Sequence, residues 1–417
     1  MNDAAHTPAQ QTAESTRPKS TARRSGLLIC GIVLVTIVTV TATAWKSGWF
    51  ETPRPLPKGI TQDQFDKALQ DFRGLFQKEP THDDALMLLA ESAIRREQWE
   101  KAVACLTEIP SDHDRYGLSA RLQEAQAFLR LNRAVEAERS FLGYLKLAEQ
   151  HPENETASKE NQAVARQWLT FLYAVELRFE DRHRILRGLE KSGIIDIYEA
   201  KQLYFPSLLI WHSNLGSERL SQYLLHDPDD LVLNIAAARY MTHEGKPQEA
   251  KEQLESLLAN HPADKQLIAA LLEALREMAD DDEFARRVAE LPAFEQSDPW
   301  LLTLMRAEGA LLAHDWSGAE KYLRAVLEAD PASPAAHMGL GRSLTEQGRL
   351  EESKRLQERS LRLAKIRVTL SEVNRVSADA ALELADHAEQ LEMADAAATF
   401  RRLAASMQST NEQGAAR

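Results

Sequence analysis

Cysteine is nearly absent: the 417 residues hold only Cys30 and Cys105. Two cysteines cannot build a disulfide framework or a thiolate metal site of their own. Glycine and proline number 17 and 16, sparse for a fold of many β-hairpins or for a Gly-rich phosphate loop. Basic residues are outnumbered, 50 against 63 acidic ones, and the net charge of −13 argues against a mainly nucleic-acid-binding protein. The sequence also lacks HExxH, GxxxxGK[ST] and GxSxG. No enzyme activity, cofactor, metal or small-molecule substrate is therefore expected. What the chain does have is 44% apolar residues, enough for a sizeable core and too many for a wholly disordered polymer.

The first sixty residues differ from the rest. Residues 1–25 are polar, with Arg17, Lys19, Arg23 and Arg24 against Asp3 and Glu14. Gly26 to Ala44 then run without a charge, a stretch of about 28 Å as a helix, close to the thickness of a bilayer core. Trp45 and Trp49 follow, placed as interfacial anchors. The expected anchor is a transmembrane helix over 26–45. A cleaved signal peptide ending at Ala42-Thr43-Ala44 is the alternative. The basic tail places the N-terminus in the cytoplasm and the bulk of the chain outside it. Residues 46–60 contain Pro53, Pro55 and Pro57 and read as a stiff stalk. Residues 1–60 carry seven basic and three acidic side chains, which leaves −17 for the remainder.

Beyond the stalk, helix-compatible stretches repeat with a period of 34 or 35 residues. A unit starting at Pro334 has Leu340-Gly341 at positions 7 and 8, Gly348 at 15, Ser353 at 20 and Ser360 at 27. The unit from Trp300 has Ala307 at 8 and Ala319 at 20. The unit from Leu231 has Ala238 and Ala250 there, while that from Lys265 has Leu272 and Phe284. Fainter copies start at Asp83, with Ala90 and Ala102, and at Leu118, with Ala125 and Ala137. Another starts at Ala378, ten residues out of phase. Ala68, Phe72 and Leu75 fit the second helix of a unit whose first helix the stalk displaces. Small residues at 8 and 20 let two helices approach closely, and prolines such as Pro262 and Pro331 break the chain between hairpins.

This pattern resembles the tetratricopeptide repeat family. The resemblance is fullest at 334–360 and weaker elsewhere, since no unit has the family's Trp at position 4. It implies an all-α chain, a right-handed α-α superhelix (a solenoid of helical hairpins), which here would follow the one N-terminal transmembrane helix read from the uncharged run. The expected organisation is a basic tail (1–25), the span (26–45), the stalk (46–60), N-terminal repeats (61–148), divergent hairpins (149–230), regular repeats (231–366), C-terminal repeat-like helices (367–407) and a disordered tail (408–417). The resemblance also implies a groove lined by first-helix positions 5, 9, 12 and 13. Those positions hold Leu304, Glu308, Leu311 and Leu312 in one unit and Met338, Arg342, Thr345 and Glu346 in the next. The mixture of apolar and charged groups suits a peptide or another helix.

Other features have plain readings. Gly339-Leu340-Gly341 belongs to the repeat register. His183 lies among charges and reads as part of a solvated helix or turn. Asp280-Asp281-Asp282-Glu283 reads as the acidic first turn of a helix. Cys105 reads as core, as do the aromatics of 162–226. The functional expectation is a single-pass envelope protein that binds another protein or peptide and acts as an adaptor or assembly factor. The bilayer would be its other partner, through 26–45. A non-catalytic subunit of a membrane enzyme or secretion complex is the alternative.

Overall fold

The structure is a computed structural model that describes residues 54–209, 215–372 and 377–415. The predicted tail and span, and the first part of the stalk, lie outside these residues. Among the described residues no helix is long and apolar enough to cross a membrane. The chain divides into two compact units, Met1–Pro57 and Lys58–Arg417, and the second carries the repeats.

Twenty α-helices and no strand are found among the described residues. A lone helix, α1 (Gln62–Phe76), leads into the hairpins α2 (His82–Arg95) with α3 (Trp99–Thr107) and α4 (Gly117–Arg130) with α5 (Ala134–Gln150). The middle holds α6 (Lys159–Val175), α7 (Phe179–Ser192), the short α8 (Ile197–Tyr204) and α9 (Pro206–Leu209), and α10 (Leu215–Leu224). Then come α11 (Leu231–His243) with α12 (Pro247–Asn260), α13 (Lys265–Glu277) with α14 (Asp281–Ala289), and α15 (Trp300–Leu312) with α16 (Trp316–Ala329). The last pairs are α17 (Pro334–Glu346) with α18 (Leu350–Glu372), and α19 (Ala378–Gln390) with α20 (Ala394–Ala415).

One backbone device makes every full hairpin. Glu97, Asn132, Leu177, Gly245, Ala279, His314, Gly348 and Glu392 all have φ between 54° and 83°. Each is position 15 of its unit. The next N–H reaches back to the carbonyl of position 11 at 2.8–3.2 Å, from Gln98 to Ala93 through Met393 to Ala388. A left-handed residue followed by this bond is how a helix stops and reverses. The seven full units expected from the sequence, starting at 83, 118, 231, 265, 300, 334 and 378, are thus in register. Leu177 reveals an eighth, starting at Ala163, that the sequence hid. It carries Thr170 and Arg182 where the others have mostly small residues at 8 and 20.

Close approach follows from those small residues. Ala90, Ala102, Ala125, Ala137, Ala238, Ala250, Ala307 and Ala319 are fully buried. A Cβ on Gly341 would meet Gln357 Cγ at 2.9 Å and Ser353 O at 3.3 Å. Ser353 instead donates its hydroxyl to the Gly341 carbonyl at 2.6 Å.

Two expectations need correction. The tail 408–417 was expected to be disordered, but α20 runs to Ala415. Residues Arg367 to Ser377 read from the sequence as an extended helix or a connecting loop, and α18 takes the helical course to Glu372. Lys365 stands at position 32, where two other units have proline, so nothing breaks the helix. The middle, 149–230, is not uniformly divergent: α6 and α7 form a repeat in register, and residues 195–209 are an insertion after it. The acidic run behaves as expected, with Asp280 capping α14 through the Glu283 N–H at 3.1 Å.

Left-handed backbone costs an L-residue about 1–2 kcal/mol, and glycine removes that cost against an entropic loss of about 0.5–1 kcal/mol. Ala279→Gly is therefore expected to stabilise the chain by about 0.5–1 kcal/mol. Urea denaturation of the two proteins checks this, and a destabilised variant would refute the role given to position 15.

Candidate functional site

Position 9 of the four regular units holds Arg239, Glu273, Glu308 and Arg342. The structure joins most of them through ion pairs. Arg239 donates to Glu273 twice, at 2.7 and 3.2 Å, and also to the Leu177 carbonyl at 3.2 Å. His243 lies 3.2 Å from the same carboxylate. Burial alone would push the Glu273 carboxyl up, but Arg239 and His243 bring it down to about 2. Arg276, at position 12, donates to Glu308 at 2.7 Å and pairs with Asp281. Arg342 is exposed and lies 5.7 Å from the centre of the Trp316 ring.

The residues expected to line a groove are thereby sorted. Glu308, Met338, Arg342 and Glu346 stay accessible, Met338 at 42%. Leu304 is buried, and Leu311 is partly buried, its side chain lying against Gly339 of α17, the first helix of the next unit. Thr345 is exposed as well. Its hydroxyl donates to the Gly341 carbonyl at 3.0 Å and lies 2.6 Å from that of Ser353, inside its own hairpin.

A cavity of about 420 Å³ opens beside this line. Its walls include Glu277, Trp300, Leu304, Met305, Glu308 and Ser207. Ser207, Glu277 and Trp300 were not foreseen. Glu277 was within reach, since it occupies position 13. Ser207 was not, because it comes from the insertion.

The insertion and the helix before it pack on the C-terminal repeats. The rings of Phe179 and Trp300 stack at 5.0 Å, and Glu180 accepts the Trp300 N–H at 2.6 Å. Lys201 Nζ donates to the Leu370 carbonyl at 3.1 Å, and Ser207 to that of Ala332 at 3.3 Å. Tyr204 and Phe205 lie 6.1 and 6.3 Å from Phe400. Thr399 donates to Glu190 at 3.1 Å. One apolar cluster unites Leu189, Ile197, Leu203 and Phe205 with Leu363, Leu384, Ala388 and Phe400.

Two residues expected elsewhere also belong to this middle region. His183 is not a solvated group: it is half-buried in α7, its ring 6.2 Å from that of Phe179. Burial, helped by Arg187 and Arg182, pushes it down to about 4. Of the aromatics expected as core, Trp211 lies outside the described residues; Tyr173, Phe179, Tyr204 and Phe205 are buried, but Trp168, Phe171 and Tyr198 are 37%, 41% and 37% exposed, the first two packing edge to face at 6.1 Å. Phe171 is position 9 of the hidden unit, so it extends the same line. Cys105 is fully buried, and burial raises its thiol to about 12. Among the described residues no cluster of three or more His, Cys, Asp or Glu could hold a metal ion.

Asp330 sits fully buried where the insertion meets the repeats, accepting from the Ala332 N–H at 3.0 Å. Burial raises its carboxyl to about 6, although Ser207, Ala332 and Arg182 oppose the shift. A raised carboxyl pKa contributes stability that is full below about pH 4 and lost as pH rises through about 6. Asp330→Asn removes that dependence. The variant's melting temperature relative to the native chain is expected to be higher at pH 7.5 than at pH 4.5, by the equivalent of about 2–3 kcal/mol. Glu176 and His183 titrate in both proteins and cancel from the difference. An unchanged difference between the two pH values would show that Asp330 is not a buried acid of raised pKa.

The family model described as tetratricopeptide repeat matches residues 60–122 and 310–363. No curated protein matches the chain. Solved structures similar to it include pilF of Pseudomonas aeruginosa, 17% identical, covering 52% of this chain and 98% of that one at a TM-score of 0.29. A tetratricopeptide repeat protein from Parabacteroides merdae is 12% identical and covers 63% of this chain and 98% of its own, at a TM-score of 0.30. Human IFIT1, in a dimer with PPP-AAAA, is 18% identical over 84% of this chain and 82% of its own, at 0.34. The family model thus identifies tetratricopeptide repeats over residues 60–122 and 310–363 of this chain.

Proposed function

We propose that the chain is a membrane-anchored, non-catalytic adaptor that holds a partner protein against its repeats outside the cytoplasm. The observation that carries this reading is the position-9 line. It carries exposed Phe171 in one unit, and in later units charged Glu308 and Arg342, the latter in the same helix as exposed Met338 at position 5; Glu308 also lines an open cavity. Apolar contacts flanked by charges supply both affinity and register to a bound peptide or helix. The uncharged stretch 26–44 and the basic residues before it support the anchor and its orientation. Anchoring confines the adaptor to a surface and raises its effective concentration toward partners there.

Two measurements test the reading separately. A photo-crosslinking residue at Phe171 or Met338 of the full-length chain is expected to yield a discrete protein adduct in intact cells. The same residue at Leu361, exposed on a second helix, should not. Equal adducts at all three positions would end the groove reading. For orientation, Ala405→Cys on the exposed side of α20 is expected to react with a membrane-impermeant maleimide in intact cells, once any outer membrane is permeable. Cys105 contributes little background because its buried thiol stays protonated. Labelling that appears only after lysis would place the repeats in the cytoplasm.

A further inference from the structure

We infer that the cavity beside Trp300 is an anchor site for a cationic side chain, lysine or arginine, of the bound partner. The inference rests on the protein-binding reading above and specifies its chemistry. Charge decides the ligand class. Two arginines stand in the cavity wall, but both are matched from within the protein: Arg239 by Glu273, and Arg276 by Glu308 and Asp281. Glu277 is exposed on the same wall and has no ion-pair partner among the described residues. It is also the last residue of α13, where the carbonyl end of the helix adds negative potential.

Two positive features of the wall do not offset this. The first N–H of α15, that of Trp300, is already taken by Glu180, and the Ser333 hydroxyl accepts from the Ala336 N–H at the start of α17. One donor of the wall, the buried indole N–H of Trp300, has no acceptor, but it carries no charge, whereas a cation finds an unpaired carboxylate.

The apolar part of the site suits the same ligand. Trp300, Leu304 and Met305 give a surface for an aliphatic stem, and an indole is the best aromatic surface for a cation. Stacking on Phe179 holds the indole in place. A cavity of about 420 Å³ has room for the side chain and part of its backbone. The groove of this chain would thus read a basic residue in its partner.

The test follows the Trp300 indole by NMR in the full-length protein in detergent, with the resonance assigned from Trp300→Phe. That variant keeps a ring against Phe179. N-acetyl-arginine methylamide and N-acetyl-lysine methylamide are titrated, with N-acetyl-glutamate methylamide as the anionic control. Both cationic probes are expected to move the Trp300 resonance with weak, saturable binding, and the anionic probe is not. Glu277→Gln, an exposed substitution, is expected to weaken that binding by about three- to tenfold. No shift, an equal shift with the anionic probe, or an unchanged affinity in Glu277→Gln would each overturn the inference. If adducts at Met338 persist in any of those cases, the groove reading stands and only the cationic anchor falls.

Discussion

The inner architecture depends on how closely the two helices of each hairpin approach. A hairpin with alanine, glycine or serine at positions 8 and 20 brings its backbones together. The larger apolar residues at positions such as 11, 24 and 27 can then fill the space around that contact. Ser353 demonstrates the tolerance involved, since its hydroxyl bonds to the carbonyl of Gly341 itself. Once that spacing is set, the left-handed residue at 15 reverses the chain, and position 9 of one unit falls beside position 9 of the next. Arg239 and Glu273 are 34 residues apart and share two hydrogen bonds for this reason.

The two units that break the rule are those that shape the site. In the hairpin of α13 and α14, Leu272 and Phe284 replace two small residues and are buried at 1% and 0% exposure. The larger pair demands more room between the helices, and α14 is only nine residues long. The same unit supplies Glu273, Arg276 and Glu277 to the cavity. In the hairpin of α6 and α7, Arg182 at position 20 is buried and lies within electrostatic reach of Asp330. That residue ties its helix to a distant repeat rather than to its own partner.

These departures also mark where the sequence stopped being legible. Gly245, Gly348 and Asn132 at position 15 are ordinary signals for a left-handed turn. Glu97, His314 and Glu392 are not, yet the alanines at positions 8 and 20 of their units held the phase; for Ala279, flanked by Leu272 and Phe284, the spacing from the neighbouring units did. At Leu177 neither signal survives: the turn residue is large and apolar, and Thr170 and Arg182 conceal positions 8 and 20. The unit at Ala163 was therefore missed, and Phe171 with it. The groove residues were found in part because the phase of α15 and α17 was right. Phase alone could not tell that Thr345 would turn toward Ser353. The long α18 was foreshadowed by Lys365 in place of proline, but the run of α20 to Ala415 was not, since its composition is that of a tail.

What no local pattern could announce is the docking of residues 179–209 on the last hairpins. Lys201 and Leu370 are 169 residues apart, and Glu190 and Thr399 are 209 apart. A stack of repeats needs only contacts between neighbours, so pairs this remote are not required for it to propagate. They close a long loop, at an entropic cost that grows only slowly with length, and bury Phe205, Leu363 and Phe400 completely. The same docking sets Phe179 against Trp300 and brings Ser207 to the cavity wall. The cavity is accordingly a product of two levels at once. The repeat supplies Leu304, Glu308 and Glu277 from its register, and the insertion adds Ser207 to one wall of the open cavity.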